Sequence, residues 1–343
     1  MVTGQSGCSS ARSCEGGSGV LPGTACSSAL RPVVSSDVND VSRFAPDRTL
    51  VIRNPVAGRF LSRWRARRLE RLLRQQGYDI ARTEAPGHAT ALARDHAARH
   101  PEGALVVIGG DGTLLEVLRE LPHRVPLALY PVGTVNLLAL ALGIPVRIRE
   151  WLRMLQQGAV AEIWGATAND VPFASVVSSG LDAQAVATVN PWLKRLAQEF
   201  AYAVSALIGY FRYRNPHWRI RLDGDPVQEP VLGVVMGLVP YFGGPNVNFP
   251  DTDPRERSLT VCLLGGTKRC RYWKYTWGML TGTLAQMQGT VYRKVTSVTI
   301  ESDPPIAVEA DGEFIGNTPV DIRVDEQPRR VLVPESMTRL QQE

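Results

Sequence analysis

The chain's 343 residues are too many for one small core and suit two domains, and a hydrophobic content of 44% is that of a soluble globular protein. A net charge of +5 biases it toward anionic partners such as nucleotides, nucleic acid or acidic lipid surfaces, without deciding among them. No stretch reaches the roughly 18 to 20 unbroken apolar residues of a bilayer-spanning helix; the best, residues 201–211, is short and is followed by Arg212 and Arg214.

The opening to about residue 45 is Gly/Ser-rich and holds Cys8, Cys14 and Cys26 at spacings that match no metal site. It lacks the positive start and apolar core of a signal peptide, so residues 1–46 are expected to be a disordered extension. Cys262 and Cys270 lie in apolar or basic surroundings and are expected to be packing residues in a reducing cytosol.

From Thr49 the pattern alternates. Strands are predicted over Thr49–Arg53 and Tyr78–Glu84, helices over Phe60–Gln76 and Gly87–His100. A strand over Ala104–Ile108 runs into Gly109-Gly110-Asp111-Gly112-Thr113, and one over Pro126–Tyr130 runs into Val132–Asn136 and a helix at Leu137–Leu142. Repeated β-loop-α units imply a parallel sheet with right-handed crossovers. The loops at Asn54–Gly58, Gly109–Thr113 and Gly133–Asn136 all follow strand C-termini, the edge where ligands bind in an open α/β sheet. The predicted fold class is α/β, with a nucleotide-binding parallel-sheet domain over 47–155.

Beyond about Trp151 the texture becomes strands joined by turns, with helical patterns at Pro191–Phe211 and Arg271–Leu284. Asp223-Gly224 and Asp311-Gly312 follow short strands and read as hairpin turns. A mostly antiparallel, β-rich domain is predicted over 156–335, followed by a tail at 336–343.

Gly109–Thr113 has the outline of a phosphate site. Glycines let the backbone approach an anion, the following helix offers free N–H groups and its positive dipole end, and Asp111 can face a metal ion or a hydroxyl. Thr113 and Glu116 also have the spacing of a capping box, which would explain those two residues without any ligand. A Walker loop is absent, and Asp111 stands where a dinucleotide fold would need room for pyrophosphate. A carboxylate in such a loop makes sense if it works through Mg²⁺ or a ribose hydroxyl, which favours a user of nucleoside triphosphates over a hydride-transfer enzyme.

Five motifs in this order, Asn54-Pro55-x-Ala57-Gly58, Gly109-Gly110-Asp111-Gly112-Thr113, Gly133-Thr134-x-Asn136, Gly180-x-Asp182 and Asp311-Gly312-Glu313, resemble the bacterial diacylglycerol-kinase-like lipid kinases, relatives of the sphingosine kinases. The resemblance runs from about Arg48 to Pro334. It implies a cleft between the two domains, with Asn54, Gly58, Gly109, Gly110, Asp111, Gly112, Thr113, Gly133, Thr134 and Asn136 around ATP and Mg²⁺, and Thr83 beside them. It assigns Asp311 as the general base toward the acceptor hydroxyl and Glu313 as the group that orients it or holds the metal. Asp111 would be a metal ligand. Asp253 and Glu256 have the spacing of a structural Mg²⁺ pair found in some members, with Arg257 where a glycine usually follows. Val135, Leu137 and Ser178 also depart from the family's pattern.

The helix at Phe60–Gln76 carries Arg63, Arg65, Arg67, Arg68, Arg71 and Arg74 against Glu70, either a solvated face or a surface for anionic headgroups. Trp192, Phe200, Tyr202, Tyr210 and Phe211 could shape an acyl-chain cleft or be ordinary core. The resulting expectation is an ATP- and Mg²⁺-dependent kinase of a lipid hydroxyl. It would be cytoplasmic, with peripheral contact to an anionic inner-membrane face and no nucleic-acid partner, its state open between monomer and homodimer. The alternatives are a kinase of a soluble acceptor such as NAD, and a nucleotide- or lipid-binding regulator without turnover.

Overall fold

The computed structural model describes residues 44–180, 183, 215–268 and 270–339. The expected extension up to residue 43, Asp182 and the aromatic helix at 191–211 lie outside the described residues.

The first half is built from β1 (Thr49–Arg53), α1 (Phe60–Gln75), β2 (Asp79–Arg82), α2 (His88–Arg99), β3 (Ala104–Gly109), α3 (Asp111–Glu120), β4 (Leu127–Pro131), α4 (Leu137–Ala141) and α5 (Ile148–Gln157). Its strands pair in parallel in the order β2-β1-β3-β4. β1 and β3 are buried along their whole length, as unbroken apolar runs require when helices cover both faces of a sheet. The order reverses between β1 and β3, with β2 on one side of β1 and β3 on the other, and such a switch point is where open α/β sheets bind ligands. α5 was not among the predicted helices, although Trp151, Met154 and Leu155 give it a buried stripe at helical spacing.

The single acid of α1 is structural. Glu70 is buried and accepts from Arg53 of β1, from Arg82 of β2 (Nη2, 2.7 Å) and from Arg74 (Nη2, 3.3 Å), which pins the helix to the sheet. A buried carboxylate needs such partners. The exposed face of α1 is left without an acid, and Arg74 belongs to the network.

The chain continues through β5 (Ala159–Ile163), β6 (Ala166–Ala168), β7 (Val171–Phe173), β8 (Val176–Ser179), β9 (His217–Leu222), β10 (Asp225–Pro226), β11 (Val231–Gly237), β12 (Leu259–Gly265), α6 (Arg271–Thr281), β13 (Thr290–Val295), β14 (Ser297–Asp303), β15 (Ala307–Ala310), β16 (Glu313–Asn317), β17 (Val320–Val324) and β18 (Arg329–Val333). Two antiparallel sheets, β10-β9-β14-β17-β6-β7 and β13-β12-β11-β8-β15-β16, face each other. Alternation divides the second sheet's residues. Val177, Val234, Met236, Val261 and Val308 meet Ile220, Val298, Ile300 and Ile322 of the first, whereas Val176, Leu232, Val235 and Cys262 pack with Tyr272 and Tyr275 of α6. Both predicted hairpins form, β9 with β10 and β15 with β16.

Two strands from beyond residue 156 complete the parallel sheet. β18 lies between β4 and β5, parallel to the former and antiparallel to the latter. Cys262 packs in the core as expected, its thiol pushed up to about 12 by burial. Cys270 is exposed at the start of α6, which corrects its reading as a packing residue.

Candidate active site

The three loops meet at the switch point. Asn54 N–H donates to Ile108 O (3.0 Å) and Val132 N–H to Gly109 O (2.8 Å), stitching the ends of β1, β3 and β4 together. Asn54 Nδ2 donates to Thr113 Oγ1 at 3.0 Å, and Asn54 Oδ1 accepts from Val56 N–H at 3.0 Å. Thr83, at the end of β2, is buried and donates its N–H to Arg53 O.

The glycines are needed for close approach. A Cβ on Gly133 would lie 2.9 Å from Gly110 Cα and 2.7 Å from Asn136 Oδ1, so the second and third loops touch backbone to backbone. Gly58 has φ +80°, and a Cβ there would stand 2.1 Å from Val132 O. Asn136 sits in the left-handed region at φ 54°. It holds Gly133 with both side-chain atoms: Oδ1 accepts from Gly133 N–H (3.1 Å) and Nδ2 donates to Gly133 O (2.9 Å).

Asp111 opens α3, where the first-turn amides have no intrahelical acceptors and a negative charge is favoured. Its Oδ2 accepts from Asn136 N–H at 3.0 Å, while burial pushes its carboxyl up from the usual range. The capping box does not form. Thr113 serves Asn54, and Glu116 turns instead to the start of α2, accepting from Ala89 N–H (3.2 Å). Leu137 belongs to the core and Val135 is exposed.

The second half contributes the turn after β15. Asp311 has φ +48°, and its carboxylate accepts three backbone N–H groups: Ala174 on Oδ2 (2.8 Å), Ser175 and Val176 on Oδ1 (3.0 and 2.8 Å). Those donations leave Oδ2 with one unoccupied lone pair. Burial pushes the Asp311 carboxyl up to about 7; the amides pull the other way, and the charge on Asp111 raises it further. Two acids from opposite halves therefore share one electrostatic environment. A methyl group on Gly112 would lie 3.6 Å from Glu313 Oε1, so the Asp-Gly-Glu turn closes on the glycine loop.

Glu309 is a residue the motifs did not indicate. It is buried, with Oε1 accepting from Ser178 Oγ (2.9 Å) and Oε2 from Gly312 N–H (2.9 Å), and so supports the turn that carries Asp311. Its sequence signal is an acid inside the apolar run Ala307-Val308-Glu309-Ala310. Ser178, which departs from the family's pattern, is explained by this pair.

Asp253 and Glu256, the spacing-matched pair, each face a cation rather than an open metal position. Asp253 is held by Arg255 (Nε to Oδ1, 2.9 Å), which keeps its carboxyl below the usual range, and Glu256 pairs with Lys294. Each carboxylate is already neutralised by a cation. Asp111 and Asp311 differ: among the described residues neither has a Lys or Arg partner.

The two halves match two family models. Residues 48–167 match the diacylglycerol kinase catalytic domain and residues 175–333 the YegS C-terminal NAD kinase beta sandwich-like domain. The chain is 24% identical to a diacylglycerol kinase of Staphylococcus carnosus (strain TM300), over 84% of this chain and 96% of that one. It is 26% identical to a diacylglycerol kinase of Staphylococcus aureus (strain JH9), over 79% and 88% of the two chains. A crystal structure of a diacylglycerol kinase from Bacillus anthracis str. Sterne shares the fold with a TM-score of 0.63, at 21% identity over 84% of this chain and 98% of that one. The chain belongs to the diacylglycerol kinase catalytic-domain family and is a kinase, a phosphotransferase with an alcohol group as acceptor.

Proposed function

We propose that this kinase transfers the γ-phosphoryl group of ATP, with Mg²⁺, to a hydroxyl of a diacylglycerol-like lipid. The observation that carries the reading is Asp311: a carboxyl held by three amides, raised to about 7, and placed where the charge of the glycine-loop acid Asp111 acts on it. A base with a pKa near the working pH suits proton removal from an alcohol.

The amides of α3's first turn and the glycine backbone of Gly110, Gly112 and Gly133 would cradle the phosphates. Two carboxylates without a cationic partner fit a divalent cation chelated by those phosphates, and Asp111 would hold it; the ion would neutralise charge on the phosphoryl oxygens. The free lone pair of Asp311 Oδ2 takes the proton of the acceptor hydroxyl as its oxygen bonds to the γ-phosphorus. The bond from that phosphorus to the β–γ bridging oxygen breaks, and ADP leaves. Glu313, beside Gly112, orients the acceptor or the metal.

The likeness of the C-terminal half to an NAD kinase sandwich favours a second reading, a soluble acceptor. Radiolabelled ATP offered with a panel of lipids and with NAD decides. Label in a chloroform-extractable product is the expected result, label in NADP supports the soluble acceptor, and label nowhere supports a regulator without turnover.

No helix among the described residues is long and apolar enough to cross a membrane. A cytoplasmic enzyme taking substrate from a bilayer would gain from α1, where Arg63, Arg67 and Arg71 are exposed beside Phe60 (81% exposed) and Trp64 (54%). Reversing those three charges is expected to weaken binding to anionic vesicles more than to neutral ones, with a difference that shrinks in high salt. Equal losses on both vesicle types would make the helix a solvated face.

A further inference from the structure

α6 shows its polar and apolar groups in an order that core packing does not explain. Its inner face is complete: Tyr272, Tyr275 and Gly278 are buried, Tyr275 Oη donates to Gly265 O (2.7 Å), and Tyr272 Oη donates to Leu232 O. The opposite face carries Trp273, Trp277 and Leu280 at helical spacing i, i+4, i+7, exposed by 50, 65 and 66%. Val247, in the loop that Asn246 ties to the end of α6 through Leu280 O, is also exposed. Scattered exposed apolar residues are ordinary, but two tryptophans and a leucine in one stripe mark an interaction surface.

Charge selects the occupant. Residues 259–300 contain six Lys and Arg and no Asp or Glu. Lys268, Arg271 and Lys274 are exposed at the start of α6, and Arg271 and Lys274 line a cavity of about 260 Å³ with Tyr275, Met287 and Gln288. A two-fold dimer through this face would bring its cations against themselves. A nucleic acid would leave Leu280 and Val247 without apolar cover. Tryptophan rings flanked by cations, with leucine beyond, match the headgroup boundary of an anionic bilayer.

We propose that α6 docks on an anionic membrane, inserting Trp273, Trp277 and Leu280 at the headgroup level while Lys268, Arg271 and Lys274 meet lipid phosphates. The inference deepens the lipid-kinase reading and rests on it for its purpose. Its contribution differs from that of α1: insertion of apolar side chains persists in high salt, whereas attraction by exposed arginines is screened.

The test uses the full chain, without ATP, on vesicles of mixed phosphatidylglycerol and phosphatidylcholine. The phosphatidylcholine carries bromine in its acyl chains to quench inserted tryptophan. Quenching that survives high salt is expected, with a loss of vesicle affinity on the order of 10- to 100-fold in Trp277→Ser/Leu280→Ser. Phosphorylation of an acceptor in detergent micelles should stay at the unmodified rate, which shows the variant folded. A milder variant, Lys274→Glu, should lose the preference for phosphatidylglycerol. Unchanged vesicle affinity in the double variant overturns the proposal, as does a change from dimer to monomer with vesicle binding intact. Because vesicle binding is read without turnover, it stands even if the labelled product proves to be soluble, and the two readings fail separately.

Discussion

Asp311→Asn is expected to lower kcat by on the order of 10² or more with ATP affinity retained, because Asn cannot accept the hydroxyl proton. The structure adds a second expectation. Both carboxylate oxygens of Asp311 accept backbone N–H groups, so either orientation of an Asn amide sets its NH₂ against another donor. An unpaired buried amide costs about 1–3 kcal/mol, so a modest fall in Tm should accompany the loss of turnover. Asp223→Asn is the control. All four of its donors, the N–H and hydroxyl groups of Thr296 and Ser297, fall on Oδ1 alone, which Asn keeps, so turnover and Tm should be nearly unchanged. Similar behaviour of the two variants would remove Asp311 from catalysis. In the unmodified enzyme, kcat/KM should rise with pH and level off above about 7, as the base loses its proton. The sign for stability is opposite. A carboxyl raised from about 3.9 when unfolded to about 7 when folded makes the native state bind the extra proton, so stability falls as pH rises through that window. That slope should become shallower in Asp311→Asn, with the raised carboxyls of Asp111 and Asp325 contributing the remainder.

Asp111→Ala is expected to abolish Mg²⁺-dependent ATP binding and activity, since it removes the glycine loop's carboxylate. The cost to the fold is small but not zero: the Asn136 N–H loses its acceptor, worth about 1 kcal/mol. Calorimetric titration of ATP with and without Mg²⁺ reads the effect. A folded variant with unchanged nucleotide affinity would end the assignment of this loop to phosphate binding. The Asp311 carboxyl should also titrate at a lower pH in this variant, because the Asp111 charge raises it.

Alternating β-loop-α texture sufficed for the parallel sheet, because β1 and β3 are apolar along their whole length and their loops begin at the glycines. Asp-Gly pairs located both hairpin turns but could not tell them apart. Asp223 and Asp311 have the same left-handed backbone and each followed by a glycine at positive φ, and only the fold puts one at an exposed edge and the other before Asp111. The donors to Asp311 were invisible, since amides of Ala174, Ser175 and Val176 have no side-chain signature. The partners of Glu116 and Glu70 were hidden for a related reason. Those partners, Ala89 on one side and Arg53 and Arg82 on the other, lie on separate elements that local spacing does not reach.

The placement of β18 between β4 and β5 has a consequence for how the protein is made. During synthesis the nucleotide-binding half leaves the ribosome with β4 as a raw edge, and its neighbour in the finished sheet is encoded near the other end of the chain, after Ile163 and beyond β17. That half therefore cannot mature as an early, independent unit. A message truncated before Arg329 would yield a chain with unpaired strand edges, a template for aggregation rather than a smaller enzyme. The same threading means that quality control reads both halves at once: no folded nucleotide site should exist in the cell without its acceptor-side partner already attached.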